Sequence, residues 1–166
     1  MAKTDERKTN SSLLAVIRVR GRVDVRPEVR HTLALLRLHK SNQCVLVKND
    51  SSTKGMLQVI KDWTTWGEIN KETLRELLRK RTYLVGGKRG LSEEYIKENT
   101  DYKDIDELID SLLTTKISLK EISGIKPIFR LNPPRKGYSG VKKSYTRGGA
   151  LGYRGSAINN LLNQMI

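Results

Sequence analysis

The 26 residues from Arg130 to Gly155, RLNPPRKGYSGVKKSYTRGGALGYRG, place the strongest limit on what this chain can fold into. They hold seven Lys or Arg, six Gly, three Tyr, two adjacent Pro and no carboxylate. A segment of this composition has too few apolar side chains to bury a core of its own. It therefore requires a scaffold built from the rest of the chain, and its charge requires an anionic partner.

Structure is predicted on both sides of this segment. Residues 125 to 131 are predicted to be extended until Pro133 and Pro134 end the stretch. After the segment, Ser156 is predicted to cap a final helix. The apolar stripe of that helix is Ile158, Leu161, Leu162 and Met165. A long loop that ends in an amphipathic anchor is typical of a functional loop and not of a disordered linker.

The first strand is predicted over residues 13 to 20, LLAVIRVR, and ends at Gly21. Alternation places one set of side chains on a core face: Leu13, Ala15, Ile17 and Val19. The other face changes along the strand from Leu14 and Val16 to a row of arginines: Arg18, Arg20 and Arg22. This row is interpreted either as an RNA-binding face or as an ordinary solvated face, and the sequence does not separate the two.

Helix and strand patterns then alternate as far as Ile69. Pro27 begins a predicted helix over residues 27 to 38, and residues 43 to 49, QCVLVKN, predict a buried strand. Residues 50 to 53 offer caps for a second helix, whose stripe is Met56, Val59, Ile60 and Trp63. Residues 64 to 69, TTWGEI, predict a third strand. The order β-α-β-α-β predicts an α+β fold in which helices cover one face of a three-stranded sheet and the arginines lie on the open face.

The middle of the chain, residues 70 to 125, predicts short helices that are close to electrically neutral. Asn70 and Ser92 are expected to cap two of them, the second ending near Asn99. Capping boxes are predicted for Asp104 with Glu107 and for Ser118 with Glu121. We expect these helices to pack on the core and to be available for contacts with other proteins. The predicted organisation is a tail at 1–12, a core at 13–69, helices at 70–125, an RNA-binding segment at 126–155 and an anchoring helix at 156–166.

Charge is distributed unevenly along the chain, whose formal net charge is +14. Residues 1 to 48 carry 11 basic and 4 acidic groups, residues 49 to 121 carry 13 and 14, and residues 122 to 166 carry 8 and none. Two basic ends around a neutral middle indicate a polyanionic partner such as a nucleic acid. A membrane partner is not expected, because no stretch approaches ~18 consecutive apolar residues.

Catalytic residues, metal sites and cofactors are not predicted. His31 and His39 do not have ligand spacing, and Cys44 lies in a predicted strand, where it is interpreted as a small buried hydrophobe. The glycines at 86, 87 and 90 lack the spacing of a phosphate-binding loop and predict a flexible turn. A single cysteine excludes an intrachain disulfide, and residues 1 to 12 show no signal peptide, so a cytoplasmic location is expected.

RNA is the expected partner, since Arg and Lys bind phosphates, tyrosine rings stack on bases, and glycines permit close approach to a sugar-phosphate chain. The predicted phosphate contacts are Arg18, Arg20, Arg22, Arg130, Arg135, Lys136, Lys142, Lys143, Arg147 and Arg154. The tyrosines predicted to contact RNA are Tyr138, Tyr145 and Tyr153. Each tyrosine is expected either to stack on a base or to brace the loop.

The chain resembles the large-subunit ribosomal protein L thirty family in its archaeal long form, whose eukaryotic counterpart is called L seven. The resemblance is carried, in order, by LLAVIRVRG at 13–21, HTLALLRLHK at 31–40, CVLVKND at 44–50, KGMLQVIKDW at 54–63, WGEI at 66–69, RLNPPRKGYSGVK at 130–142 and GGALG at 148–152. Bacterial members are similar only to about residue 69. The resemblance implies a β-α-β-α-β core related to the ferredoxin-like fold, with the helical middle and the basic C-terminal segment as additions found in the long form. It also implies no enzymatic activity and a place in the large ribosomal subunit, bound to ribosomal RNA near 5S ribosomal RNA and beside other ribosomal proteins.

Charge alone also suits other nucleic-acid-binding proteins. A DNA-packaging protein or a free RNA chaperone would have a similar charge, and competition between duplex DNA and structured RNA separates these classes. A non-ribosomal RNA-binding or RNA-modifying protein on a ferredoxin-like platform is the other alternative. The missing catalytic cluster and cofactor loop argue against a modifying enzyme.

Overall fold

The computed structural model describes residues 13 to 100, 102 and 104 to 166, so the tail predicted at 1–12 lies outside the described residues. The strands are β1 (Leu13–Arg18), β2 (Gln43–Lys48), β3 (Thr64–Glu68), β4 (Tyr83–Leu84), β5 (Ile125–Lys126), β6 (Phe129–Arg130) and β7 (Gly152–Tyr153). The helices are α1 (Pro27–Leu35), α2 (Ser51–Val59), α3 (Lys71–Arg81), α4 (Glu93–Asn99), α5 (Ile105–Leu113) and α6 (Ile158–Met165).

The main sheet has five strands in the order β6-β2-β1-β3-β7, with β1 at its centre. All neighbours are antiparallel except β3 and β7, which run parallel. The predicted three-stranded core is therefore present, and the C-terminal part of the chain adds one short strand at each edge. Strand β6 lies in the stretch predicted to be extended, 125 to 131, whereas β7 was not predicted because a strand of two residues carries no periodic signal.

Helices cover both faces of this sheet, so the expectation of an open face is wrong. Leu14 and Val16 of β1 pack in one core with α1, α2 and Trp63. Leu13, Ala15 and Ile17, on the opposite face, pack in a larger core with α3, α5 and α6. Every residue of β1 is buried, because each face of the central strand meets a helical layer.

The second helix buries a different stripe from the one predicted. Leu57 and Ile60 are fully buried, whereas Val59 is 45% exposed. Helix α2 ends at Val59, so Ile60 and Trp63 reach the core from the turn that leads into β3. The predicted stripe required one continuous helix as far as Trp63. It is wrong at Val59 because the helix ends there.

The helical middle packs on the sheet largely as predicted. Ser92 caps α4, since its side chain accepts a hydrogen bond from the Tyr95 N–H. Ser118 and Glu121 form half of the predicted capping box, because the Glu121 carboxylate accepts from the Ser118 N–H while the Ser118 hydroxyl donates to that carboxylate and not to the backbone. Residues 119 to 124 form turns and not a helix, and the Asp104 side chain before α5 accepts no capping hydrogen bond.

Helix α6 closes the larger core. Its predicted stripe is buried, with Ile158, Leu162 and Met165 fully enclosed. Ser156 does not cap the helix, because a short 3-10 turn over Gly155–Ala157 precedes α6 and leaves Ala157 at the capping position. This 3-10 turn lies against β3 so closely that a Cβ on Gly67 would clash with the Gly155 carbonyl oxygen.

Candidate nucleic-acid interface

One end of the main sheet gathers most of the predicted RNA-binding residues. At this end β1 and β6 finish and β2, β3 and β7 begin, because β2 and β3 are antiparallel to β1 while β7 is parallel to β3. We call it the basic end. Residues 18 to 22, 39 to 43, 60 to 63 and 130 to 151 meet there, although the chain separates them by more than a hundred positions.

Asn42 ties three of these stretches together. Its backbone N–H donates to the Arg18 carbonyl at 2.7 Å, and its carbonyl accepts the Leu131 N–H at 3.0 Å. Its side-chain Oδ1 accepts the Tyr138 hydroxyl at 2.7 Å. The backbone of Asn42 is left-handed, with φ 61°, a conformation that asparagine tolerates better than most residues. Its sequence signal is a short SNQ turn before β2, which does not by itself predict contacts with residues 131 and 138.

The basic segment folds back on itself instead of extending away from the protein. The Tyr145 N–H donates to the Leu151 carbonyl at 2.7 Å, and the Leu151 N–H donates to the Lys143 carbonyl at 3.2 Å. Gly149 lies so close to this pairing that a Cβ there would clash with the Lys143 carbonyl oxygen. The glycines therefore serve the internal packing of the loop as well as any approach to RNA.

A small apolar cluster fastens this folded loop to the end of β1. Ala150 and Leu151 are buried against Val19, and the Tyr138 ring packs on the same cluster. On the other side, the Thr65 hydroxyl donates to the Gly152 carbonyl at 2.9 Å. The segment is thus held by the core at several points along its length.

Arg18 is a structural residue of the folded core. It is only 4% exposed. Its guanidinium donates to the carbonyl oxygens of Leu38 at 2.7 Å, Gly21 at 2.6 Å and Arg20 at 2.9 Å. Burial, and to a lesser extent the charge of Arg22, lowers the pKa of Arg18. A guanidinium occupied in this way is not available for a phosphate, which corrects the expectation drawn from the arginine row.

The other two arginines of that row lie at the surface of the basic end. The Arg20 guanidinium is 4.3 Å from the centroid of the Trp63 ring, and it also donates to the Asp62 carbonyl at 3.3 Å. Arg22 is exposed and donates one hydrogen bond to the His39 carbonyl at 2.8 Å. Both guanidiniums retain free donors that can reach an anion.

Six cations of the basic segment are exposed. They are Arg130, Arg135, Lys136, Lys142, Lys143 and Arg147. The ion pairs that the structure describes lie on α3 and α5, and none of them includes these six cations. These six like charges repel one another, and a bound polyanion would reduce that repulsion. Their grouping therefore favours the binding of a polyanion.

The three tyrosines of the segment have different environments. Tyr138 is half-buried and braces the loop through Asn42, and burial raises its pKa above the usual value. The Tyr153 hydroxyl donates to a Glu68 carboxylate oxygen at 2.7 Å, and this hydrogen bond raises the pKa of Tyr153. The Arg154 guanidinium lies 4.8 Å from the centroid of the Tyr145 ring. Tyr145 is 41% and Tyr153 53% exposed, so these two rings, and not that of Tyr138, are accessible for stacking on a base.

Arg154 acts mainly within the protein. Its guanidinium donates to the Thr65 hydroxyl and the Ala150 carbonyl, each at 2.8 Å. Burial lowers the pKa of Arg154. Its contacts join the loop to β3, so we treat it as a residue that positions the segment.

Two further cations at the basic end were not predicted. Lys40 is exposed in the connection that leads into β2, and Lys61 is exposed in the turn that leads into β3. Neither has a sequence signal of its own. Both follow from the antiparallel pairing of β1 with its two neighbours, which brings the turns before β2 and β3 to the end of β1.

The described residues were also compared with the patterns of metal sites, membrane spans and reactive thiols. Among them, no three or more His, Cys, Asp or Glu side chains are grouped so as to hold a metal ion. None of the helices described is both long and apolar enough to cross a membrane. Cys44 is fully buried, and burial raises the pKa of its thiol to about 12.

Sequence comparisons cover nearly the entire chain. A profile of the family described as ribosomal protein L30p/L7e matches residues 14–64. The large ribosomal subunit protein uL30 of Archaeoglobus fulgidus is 48% identical over 153 residues, which cover 92% of this chain and 99% of that protein. The uL30 of Nanoarchaeum equitans is 49% identical over 157 residues, covering 93% of this chain and 99% of that protein. The uL30 of Thermoplasma volcanium is 47% identical over 154 residues, 93% of each chain. With this identity over more than nine-tenths of its length, the chain belongs to the ribosomal protein L30p/L7e family.

Proposed function

We propose that this protein is a structural constituent of the large ribosomal subunit that binds and stabilises ribosomal RNA through its basic end. The observation that carries the proposal is the group of six exposed cations on the folded segment from Arg130 to Arg147, outside the described ion pairs. The family is a structural, non-enzymatic component of the ribosome. The chain is accordingly a binding protein and not an enzyme.

The mechanism we infer is architectural. Arg20 and Arg22 extend the cationic surface from the segment to the end of β1, and Tyr145 presents an aromatic ring beside it. Phosphate contacts fix the orientation of the protein, and the neutralised charge permits RNA helices to approach one another. In the subunit we place the segment against large-subunit ribosomal RNA, near 5S ribosomal RNA and beside neighbouring ribosomal proteins. The proposed location is the cytoplasm, within the ribosome.

Sedimentation and crosslinking test this proposal directly. The purified protein, added to ribosomal particles that lack it, is expected to sediment with the large subunit. A photocrosslinker placed at Ser139, an exposed position in the segment, is expected to join the protein to large-subunit ribosomal RNA. Sedimentation with free RNA alone would favour a non-ribosomal RNA-binding protein. Crosslinks exclusively to other proteins would overturn the RNA-binding role of the segment.

A further inference from the structure

A hairpin over residues 82 to 91 forms an exposed tip beside the C-terminal end of α3. The Gly90 N–H donates to the Thr82 carbonyl at 2.9 Å, and the Leu84 N–H donates to the Lys88 carbonyl at 3.0 Å. Gly86 and Gly87 at the turn have φ of 103° and 88°, values that other residues rarely adopt. The residues from 85 to 89 are all exposed, so the tip faces outward.

This hairpin is fixed on the protein at several points. The Val85 N–H donates to the Gly124 carbonyl at 2.8 Å, and the Leu91 N–H donates to the Leu78 carbonyl at 3.2 Å. A Cβ on Gly90 would clash with the Arg79 carbonyl oxygen, so the hairpin backbone lies directly on α3. The flexible turn predicted from the glycines is thus anchored, and its side chains have defined positions.

Two arginines meet at one aromatic ring of the hairpin. The guanidinium carbons of Arg89 and Arg130 each lie over the Tyr83 ring, 5.2 Å from its centroid. The described ion pairs are formed by Lys71, Arg75 and Lys80 of α3, so neither Arg89 nor Arg130 is in a described ion pair. Both guanidiniums therefore retain donors that can reach an anion.

The surrounding surface is basic although the sequence average of this region is neutral. Five cations there are exposed: Arg79, Lys88, Arg89, Lys126 and Arg130. Asp106 and Asp110 of α5 instead pair with the N-terminal half of α3. Glu93 and Glu94 follow the hairpin in the first turn of α4, where acids are favoured by the helix dipole, and neither is in a described ion pair.

We propose that the hairpin is a second RNA-binding element, which contacts the backbone of an RNA double helix separate from the RNA bound by the basic segment. This inference rests on the proposed function. Arg130 belongs to both surfaces, so the hairpin continues the basic end around the side of the molecule. A narrow tip with Lys88, Arg89 and the 68% exposed Val85 suits the wide, shallow minor groove of A-form RNA, where riboses and phosphates are accessible.

Directed hydroxyl-radical cleavage tests the inference on the full chain bound to the large subunit. Because Cys44 is fully buried, a single introduced cysteine can carry an iron chelate. Three variants are compared: Val85→Cys at the hairpin, Ser139→Cys in the basic segment and Lys116→Cys as control. Lys116 is exposed and adjoins Ile117, which shares a cavity with Leu13 and Lys48 at the opposite end of the sheet. Val85→Cys is expected to cleave ribosomal RNA at nucleotides that Ser139→Cys leaves intact, and more strongly than the control.

The outcomes separate this inference from the proposed function. Cleavage from Ser139→Cys together with none above control from Val85→Cys overturns the hairpin element and leaves the function standing. Identical cleavage patterns from the two positions also overturn it, because the hairpin and the basic segment would then face the same RNA. Cleavage of a neighbouring protein alone from Val85→Cys would show a protein contact instead. Failure of both positions to cleave RNA would overturn the proposed function itself.

A binding measurement provides a second readout. The double change Lys88→Ala and Arg89→Ala is expected to weaken binding to large-subunit ribosomal RNA several-fold. It should also reduce the slope of log affinity against log salt by about two, one for each phosphate that is no longer neutralised. The matched control, Lys116→Ala with Lys120→Ala, removes the same charge from exposed positions in the turns after α5. Equal effects of the two pairs would overturn the inference.

Discussion

The Tyr138 hydroxyl donates a 2.7 Å hydrogen bond to the side-chain oxygen of Asn42, which lies 96 positions earlier in the chain. Asn42 is itself bonded through its backbone to Arg18 and Leu131. This contact joins the basic segment to the end of the central strand, beside the apolar cluster of Val19, Ala150 and Leu151 and the Thr65 hydrogen bond that also hold it.

Loss of this hydrogen bond should loosen the segment. Tyr138→Phe keeps the ring in its apolar cluster but leaves the Asn42 oxygen without its donor, so we expect the free energy of unfolding to fall by about 1 kcal/mol. Urea unfolding measures this change, and hydrogen exchange should show faster exchange of the amides between 138 and 151. Tyr145→Phe is the control, since no hydrogen bond of the Tyr145 hydroxyl is described, and it should change stability by no more than ~0.3 kcal/mol.

Removal of four segment cations should weaken RNA binding without unfolding the protein. The variant replaces Arg135, Lys136, Lys142 and Lys143 with Gln. All four are exposed and outside the described ion pairs, so the slope of log affinity against log salt should become shallower by about three to four. The midpoint of thermal unfolding should change little, because exposed charges contribute little to stability. Filter binding across a salt series, with calorimetry, measures both quantities.

Four lysines elsewhere provide a control of equal charge. Lys54, Lys97, Lys116 and Lys120 are also exposed, but they lie outside the basic segment and the hairpin. Their replacement by Gln lowers the net charge by the same amount and should leave most of the affinity intact. A similar loss of affinity in both variants would mean that total charge, and not the basic end, determines binding.

Substitution of Arg18 should affect stability first. Lysine retains the charge of Arg18 but cannot supply the planar set of donors that reaches the Leu38, Gly21 and Arg20 carbonyls, so Arg18→Lys should lower the free energy of unfolding by about 2 kcal/mol. The matched change Arg22→Lys disturbs one exposed hydrogen bond and should cost no more than ~0.5 kcal/mol. Equal costs in chemical unfolding experiments would contradict the structural assignment of Arg18.

Two glycines should respond to alanine in opposite directions. A Cβ on Gly67 would clash with the Gly155 carbonyl oxygen, so Gly67→Ala should destabilise the protein by more than ~1 kcal/mol and disturb the start of α6. Gly55 lies in α2 with open space around its Cβ position, so Gly55→Ala should stabilise the protein by about 0.5 to 1 kcal/mol. Denaturant titrations measure both changes, and destabilisation by Gly55→Ala would disprove the second assignment.

The buried thiol of Cys44 should make stability depend on alkaline pH. Its pKa in the folded protein is about 12, against an ordinary value of 9.0. Between these values the unfolded chain has released the proton while the native state retains it, so stability falls as pH rises, by up to ~1.4 kcal/mol per pH unit. Cys44→Ala removes this contribution but keeps that of the tyrosines, which also titrate at alkaline pH. The free energy of unfolding of the wild-type protein should therefore fall more steeply with rising pH than that of the variant. Parallel pH profiles for the two proteins would show that Cys44 is accessible to solvent.

Local sequence patterns predicted the central part of the fold well. The period of LLAVIRVR placed β1, and the stripe of α6 identified Ile158, Leu161, Leu162 and Met165 as buried. The family resemblance, drawn from motifs along the chain, is confirmed by the comparisons, as is the α+β fold class. These features depend on residues that are close together in the sequence, which is why they can be inferred from the sequence alone.

Features that depend on distant pairing were missed or misjudged. Arg18 alternates with Val19 as a surface residue would, yet it is buried beneath the turn after α1, where the Leu38 carbonyl accepts one of its hydrogen bonds. Asn42 and the hairpin at Tyr83 acquire their importance only when residues from other parts of the chain arrive beside them. The role of each cation in binding RNA remains a prediction, because it depends on a partner surface as well as on this fold.

The parallel pairing of β3 with β7 also constrains how the protein is made. Strand β3 gains its outer neighbour from residues 152 and 153, and α6 completes the larger core only after that. During translation β1 to β3 emerge long before residues 152 to 166, so the main sheet and the larger core remain incomplete until those residues have been synthesised. A newly synthesised copy can therefore complete its fold only after β7 and α6 have left the ribosome.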